Sequence, residues 1–108
     1  MTKRQEMEIV LKELSPFMNE FGQLTALPAR FKKRLYFFYY LSKKFEHGVD
    51  YTESEVNRII NDATVFDDPA TIRRELYNLH LINRTPDCSK YWKAEDIPPL
   101  TEFMTMHI

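Results

Sequence analysis

Apolar residues recur at helical spacing along most of the chain. Met7, Val10, Leu14, Phe17 and Phe21 step by 3, 4, 3 and 4 positions, a heptad-like seam on an amphipathic N-terminal helix. Pro16 interrupts it; Ser15 as N-cap and Pro16 in the first helical position predict a second short helix to Phe21, stopped by Gly22. Residues 23–29 read as a short connector. Arg30 to Phe45 is the longest helix candidate, with Phe31, Leu35, Phe38, Leu41 or Ser42, and Phe45 on its core face. Tyr36, Phe37, Tyr39 and Tyr40 widen the apolar arc beyond one face, so this helix is expected to be buried on two sides. Residues 45–50 read as a turn.

Residues 51–92 carry the densest local signals. Thr52 with Glu55 three positions on makes a capping box, and Tyr51 and Val56 occupy the positions of a hydrophobic staple. Val56, Ile59 and Ile60 form one stripe, and Asn61 and Asp62 end that helix. Asp68 is positioned to cap a second helix with Pro69 at its first position. Ile72, Leu76 and Leu79 give its buried stripe, so Ala70, Arg74 and Asn78 point the other way, flanked by Thr71, Arg73 and Tyr77. After His80 the pattern shortens: Leu81–Thr85 and Lys90–Lys93 flank Pro86-Asp87-Cys88-Ser89, a hairpin signal. Beyond it, Ala94–Ile108 begins with Pro98-Pro99 and reads as a tail whose Leu100, Phe103, Met104 and Met106 allow a last short helix docked on the body.

The elements in order predict a mainly α fold with a small β-hairpin: a winged helix-turn-helix with an added N-terminal helix. The division expected is an N-terminal helical extension at 1–26, a winged-helix domain at 27–93 and a C-terminal tail at 94–108. At 108 residues and 44% hydrophobic, the chain is long enough for one core. No apolar run is long enough to span a bilayer, no signal peptide is visible, and the lone Cys88 suits a reducing compartment, so a cytoplasmic protein without a membrane partner is expected.

Net charge is −1, but its distribution is uneven: +3 over residues 28–93, −1 over 1–27 and −3 over 94–108. The excess of Lys and Arg in the motif region permits nucleic-acid binding without demanding it. Arg30, Lys32, Lys33 and Arg34 crowd the first turn of the Arg30–Phe45 helix, where they oppose the macrodipole. They suit an external anion or a solvated basic turn equally. His47, His80 and His107 lack metal-ligand spacing, Cys88 lacks a second thiol, and no phosphate-binding glycine motif occurs. Neither catalysis nor a cofactor is expected.

The chain resembles a bacterial domain-of-unknown-function family, number 2087, whose members occur alone or appended to helix-turn-helix transcription regulators. The resemblance runs over about residues 27–93 through Lys32-Lys33-Arg34-Leu35, Tyr51-Thr52-Glu53, Glu55-Val56-Asn57, Asp67-Asp68, Arg73-Arg74-Glu75-Leu76, Arg84-Thr85 and Tyr91-Trp92. It implies a winged-helix fold and a role in transcription regulation. One departure stands at Cys88, where the family usually has glycine after the aspartate. That puts strain on a turn position needing positive φ.

The expected function is therefore DNA binding. Residues 69–80 would be the recognition helix, reading double-stranded DNA through Thr71, Arg73, Arg74, Tyr77 and Asn78. The hairpin at 82–93 would be the wing, touching phosphates or the minor groove through Arg84, Lys90 and Lys93. The alternative is a winged helix used for protein contact or dimerisation without DNA. The surplus of apolar surface on the N-terminal seam and on Tyr36, Phe37 and Tyr40 further suggests a homodimer through the N-terminal helix and helix 30–45.

Overall fold

The computed structural model describes all residues, 1–108. Helix α1 (Lys3–Leu14) starts at a capping box absent from the sequence reading. The Thr2 hydroxyl accepts from the Gln5 amide at 3.1 Å and the Gln5 side chain accepts from the Thr2 amide at 2.8 Å. The second short helix expected to Phe21 is only a single 3-10 turn, Ser15–Phe17. Asn19 diverts the chain there. Its side-chain oxygen accepts from the amides of Phe21 and Gln23, Gly22 takes φ +76°, and Met18 bridges back to Leu24. The connector is consequently structural: Leu24 is fully buried and exchanges backbone hydrogen bonds with the segment after α3, through Ala63 and Val65.

Helix α2 (Phe31–Ser42) buries eight successive residues, Leu35 to Ser42, as its wide apolar arc requires. It packs against α1, α4 and α5. Tyr36, Phe37 and Tyr40 are thus covered within one chain, as are Val10 and Leu14 of the N-terminal seam, whereas Phe21 is exposed. Covering these faces requires no second copy.

The segment read as a turn into the motif holds a strand, β1 (Asp50–Tyr51). Two residues show no periodicity of their own; the strand exists because β3 (Tyr91–Lys93) lies alongside, pairing Asp50 with Trp92 and Tyr51 with Tyr91. Strand β2 (Ile82–Arg84) pairs with the other edge of β3, giving an antiparallel sheet of order β1-β3-β2. Helix α3 (Glu53–Ala63) starts at the Thr52–Glu55 capping box, with both reciprocal bonds formed. Such a box is worth about 1 kcal/mol.

Helix α4 (Pro69–Asn78) departs from expectation at its start. Asp68 holds the cap position, but its side chain makes no capping bond, and Pro69 begins the helix without help. Its end is a Schellman motif built on a histidine: His80 takes φ 59°, its amide donates to the Tyr77 carbonyl, and the Leu81 amide donates to the Leu76 carbonyl.

The C-terminal segment forms α5 (Leu100–His107), which buries Leu100, Phe103 and Met104 against the body. Its first amide is satisfied from the far end of the chain. The buried Glu6 carboxylate accepts from the Leu100 amide at 2.6 Å and from the Tyr39 hydroxyl at 3.4 Å. The expected extension, domain and tail therefore share one core, running from Val10 and Leu14 through α2, Val56, Ile60, Ile72 and Leu76 to Leu100 and Phe103. No helix is long and apolar enough to cross a membrane.

Candidate nucleic-acid interface

Ile72 and Leu76 seat α4 on the core, and this fixes the direction of its remaining side chains. Arg74, Tyr77 and Asn78 are exposed, as the spacing implies. Together with Glu53, Arg73, Arg84, Cys88 and Tyr91 they line a cleft of about 290 Å³ between α4 and the hairpin.

The two adjacent arginines differ. Arg73 is held by α3: its guanidinium lies 3.3 Å from the Glu53 carboxylate and donates to the Asn57 side-chain oxygen, leaving the side chain only 19% exposed. Glu53 and Asn57 stand one turn apart on one face of α3 and grip Arg73 as a pair. Glu53 also accepts from the Tyr91 hydroxyl at 3.4 Å. The four-residue spacing of these partners is the only sequence signal for the grip. Arg74 makes no ion pair and projects from the outward face.

Arg84 joins helix to hairpin. Its guanidinium packs over the Tyr77 ring at 4.5 Å from the centroid and donates to the carbonyl oxygens of Thr85 and Pro86. It has no acidic partner. A cation over a half-exposed phenol contributes roughly 0.5–1 kcal/mol and fixes the lateral position of both groups.

The hairpin tip confirms the strain expected at Cys88, which adopts φ 62°. The turn is closed by the Cys88 amide donating to the Thr85 carbonyl at 3.0 Å. Asp87 braces it by accepting from the hydroxyls of Thr85 and Ser89 and from the Ser89 amide. These bonds hold the Asp87 carboxyl down at about 2, so the tip carries a fixed negative charge. Burial pushes the Tyr91 phenol up, reinforced by its contact with Cys88, and this keeps the proton that Glu53 accepts.

The other expected contact residues lie elsewhere. Thr71 is half-buried on α4 and does not line the cleft. Lys90 is exposed but turns toward β1, its ammonium 3.6 Å from the Asp50 carboxylate and 5.7 Å from the Trp92 ring. Lys93, expected on the outer edge of the hairpin, is buried, 7% exposed, and donates to the Phe45 carbonyl at 3.2 Å. Burial lowers its pKa, with Lys43 and Lys3 adding to the effect. The strand period explains this: Tyr91 and Lys93 face the core and Trp92 faces out. The same alternation separates Lys93, turned inward, from Lys90 on the outer side.

No group of three or more His, Cys, Asp and Glu side chains is placed to hold a metal ion. No curated protein and no solved structure matches the chain. A family model does, over residues 23–93, the stretch that contains α2, the sheet, α3 and α4: the chain belongs to the bacterial family described as "Uncharacterized protein conserved in bacteria (DUF2087)".

Proposed function

We propose that the chain is a DNA-binding transcriptional regulator in which α2 through β3 form a winged helix-turn-helix, with α4 as recognition helix and the β2–β3 hairpin as wing. The observation that carries the reading is the cleft face: Arg74 is exposed and unpaired, in line with Asn78 and Tyr77, and Arg84 stands beside them on the hairpin. Arginine and asparagine are the side chains suited to guanine and adenine edges in the major groove. The order helix, strand, helix, helix, strand, strand, with the first strand on the free edge of the last, is the order such a motif uses. Arg84 takes the phosphate-contacting role, because Lys93 is buried and the tip beside Asp87 is negative. Two half-sites on a duplex would call for a second copy of the chain.

Fluorescence anisotropy with a labelled random duplex at low salt tests this. Binding at tens of micromolar or below, weakening steeply with added salt, is expected. No binding in that range overturns the reading. Light scattering tests the second copy, which requires a mass twice the 13.0 kDa of the chain.

A second reading, contact with a protein, is favoured by the pairing of Arg73 with Glu53 and of Lys90 with Asp50, which removes two cations from the exposed field. In that case, Arg74→Ala leaves duplex affinity unchanged.

A further inference from the structure

The largest cavity of the chain is a groove of about 550 Å³ between α1, α2 and α5, and it shares no residue with the α4–hairpin cleft. Its volume falls within the ~300–1,000 Å³ usual for small-molecule sites. Ile9 of α1 and Leu100 and Met104 of α5 make an apolar wall. Lys32 and Tyr36 of α2 supply the polar part, one helical turn apart on the same face.

Two independent features of that polar part are unmet within the chain. Tyr36 is 8% exposed, yet its hydroxyl makes no hydrogen bond within the chain and reaches solvent along the groove. Burial raises its pKa, with the Glu13 charge adding and Lys33 opposing, so it is a protonated donor at neutral pH. Lys32 makes no direct ion pair; the Glu13 carboxylate, whose pKa Lys32 helps to lower, is bound by Lys33. Moreover, α2 begins at Arg30 with no side-chain cap and no acidic residue in its first turn. Of the basic residues at that end, only Lys33 has an ion-pair partner, Glu13.

We propose that this groove binds a free medium-chain carboxylate, with its alkyl chain along Ile9, Leu100 and Met104 and its two oxygens at the Lys32 ammonium and the Tyr36 hydroxyl. One cation and one neutral donor match the single charge and two oxygens of a carboxylate better than the higher charge of a phosphate. A neutral ligand would leave the Lys32 ammonium without a counter-charge. The site stands whether or not the chain binds DNA, since it is built from different residues.

Isothermal titration of the full chain with decanoate, below its micelle concentration, tests the site, with decanol as the uncharged probe. Saturable 1:1 binding of decanoate is expected, with decanol weaker by about tenfold or more, as loss of a charge-assisted hydrogen bond implies. Lys32→Gln removes the charge from an exposed side chain and should bring decanoate down to the level of decanol. Tyr36→Phe keeps the ring in the core and should weaken decanoate severalfold. Circular dichroism of both variants establishes that the fold is kept. Equal affinity for the two probes, decanoate binding unchanged in Lys32→Gln, or no saturable binding overturns the proposal. So does a stable dimer whose interface occupies the groove and excludes decanoate.

Discussion

Glu6 on α1 and Arg74 on α4 are both ionisable residues on helices, yet they sit in opposite circumstances. Glu6 is buried, and its two oxygens serve the Leu100 amide and the Tyr39 hydroxyl, so its charge is committed to joining α1, α2 and α5. Arg74 is exposed, without an ionic partner, on a helix whose buried residues are Ile72 and Leu76. Arg73 stands between the two cases, tied to Glu53 and Asn57 but open to the cleft at one side. A charge whose partners lie within the chain contributes to stability, and its loss leaves other groups unsatisfied. A charge whose partners are missing contributes nothing to stability and is available to a ligand. In this molecule the α1–α2–α5 side holds the first kind at Glu6, and the α4–hairpin side exposes the second.

The strongest way to break that contrast is Glu6→Ala. It strands the Leu100 amide and removes one acceptor from Tyr39, and it should destabilise the fold by roughly 1–3 kcal/mol. Chemical denaturation should show the loss, and α5 should lose amide-exchange protection first. A change under about 0.5 kcal/mol, as for an ordinary surface substitution, would mean that Glu6 is a passive neighbour of α5.

Alkaline pH probes the same cluster. Burial, together with the Glu6 charge, pushes the Tyr39 phenol up to about 12 from an ordinary value of 10.0. Above pH 10 the unfolded chain loses this proton while the folded chain keeps it. The stabilising contribution is therefore complete below pH 10 and is lost as pH rises toward 12. Ultraviolet titration should show one tyrosine ionising after the others, together with a fall in stability over that window. A Tyr39 phenol titrating with the exposed tyrosines would contradict the packing around Glu6.

Two of the three non-glycine residues in left-handed conformation, His80 and Cys88, compare the α4 region internally. His80→Gly should stabilise by about 0.5–1 kcal/mol, because the C-terminal cap of α4 needs positive φ and His80 is exposed, with little packing to lose. Cys88→Gly relieves the same kind of strain but removes a side chain that packs against the core, so its net effect should stay within about 0.5 kcal/mol. Melting curves of the two variants rank them; a larger gain at Cys88 would show that its packing is of no consequence.

The smallest effect on stability belongs to Arg74→Ala, within about 0.5 kcal/mol. Under the DNA reading, the same variant should weaken duplex binding measurably in anisotropy. A variant that loses its fold would place Arg74 among the committed charges and end the contrast with Glu6.

Local chemistry determined much of this molecule before any tertiary contact. The Thr52–Glu55 box, the Ile72–Leu76 stripe, Pro69 at the head of α4 and the Pro86-Asp87 turn each act over a few residues, so spacing alone revealed α3, α4, the hairpin and the outward face of Arg74 and Asn78. The missed Thr2–Gln5 box was equally local. Other features depend on partners far away in the chain. β1 has two residues and owes its existence to β3. The Glu6 bond to Leu100 spans 94 positions. The ammonium of the inward-facing Lys93 is satisfied by the Phe45 carbonyl, 48 positions away. A sequence pattern reports which face of an element is apolar, since that depends on the element's own period. It does not report which distant backbone group will lie opposite a buried charge, because that is settled only when the helices and strands pack. Packing likewise decided that the greasy faces of α1 and α2 meet within one chain, and that the groove beside α5 keeps the Lys32 ammonium and Tyr36 hydroxyl free of internal partners.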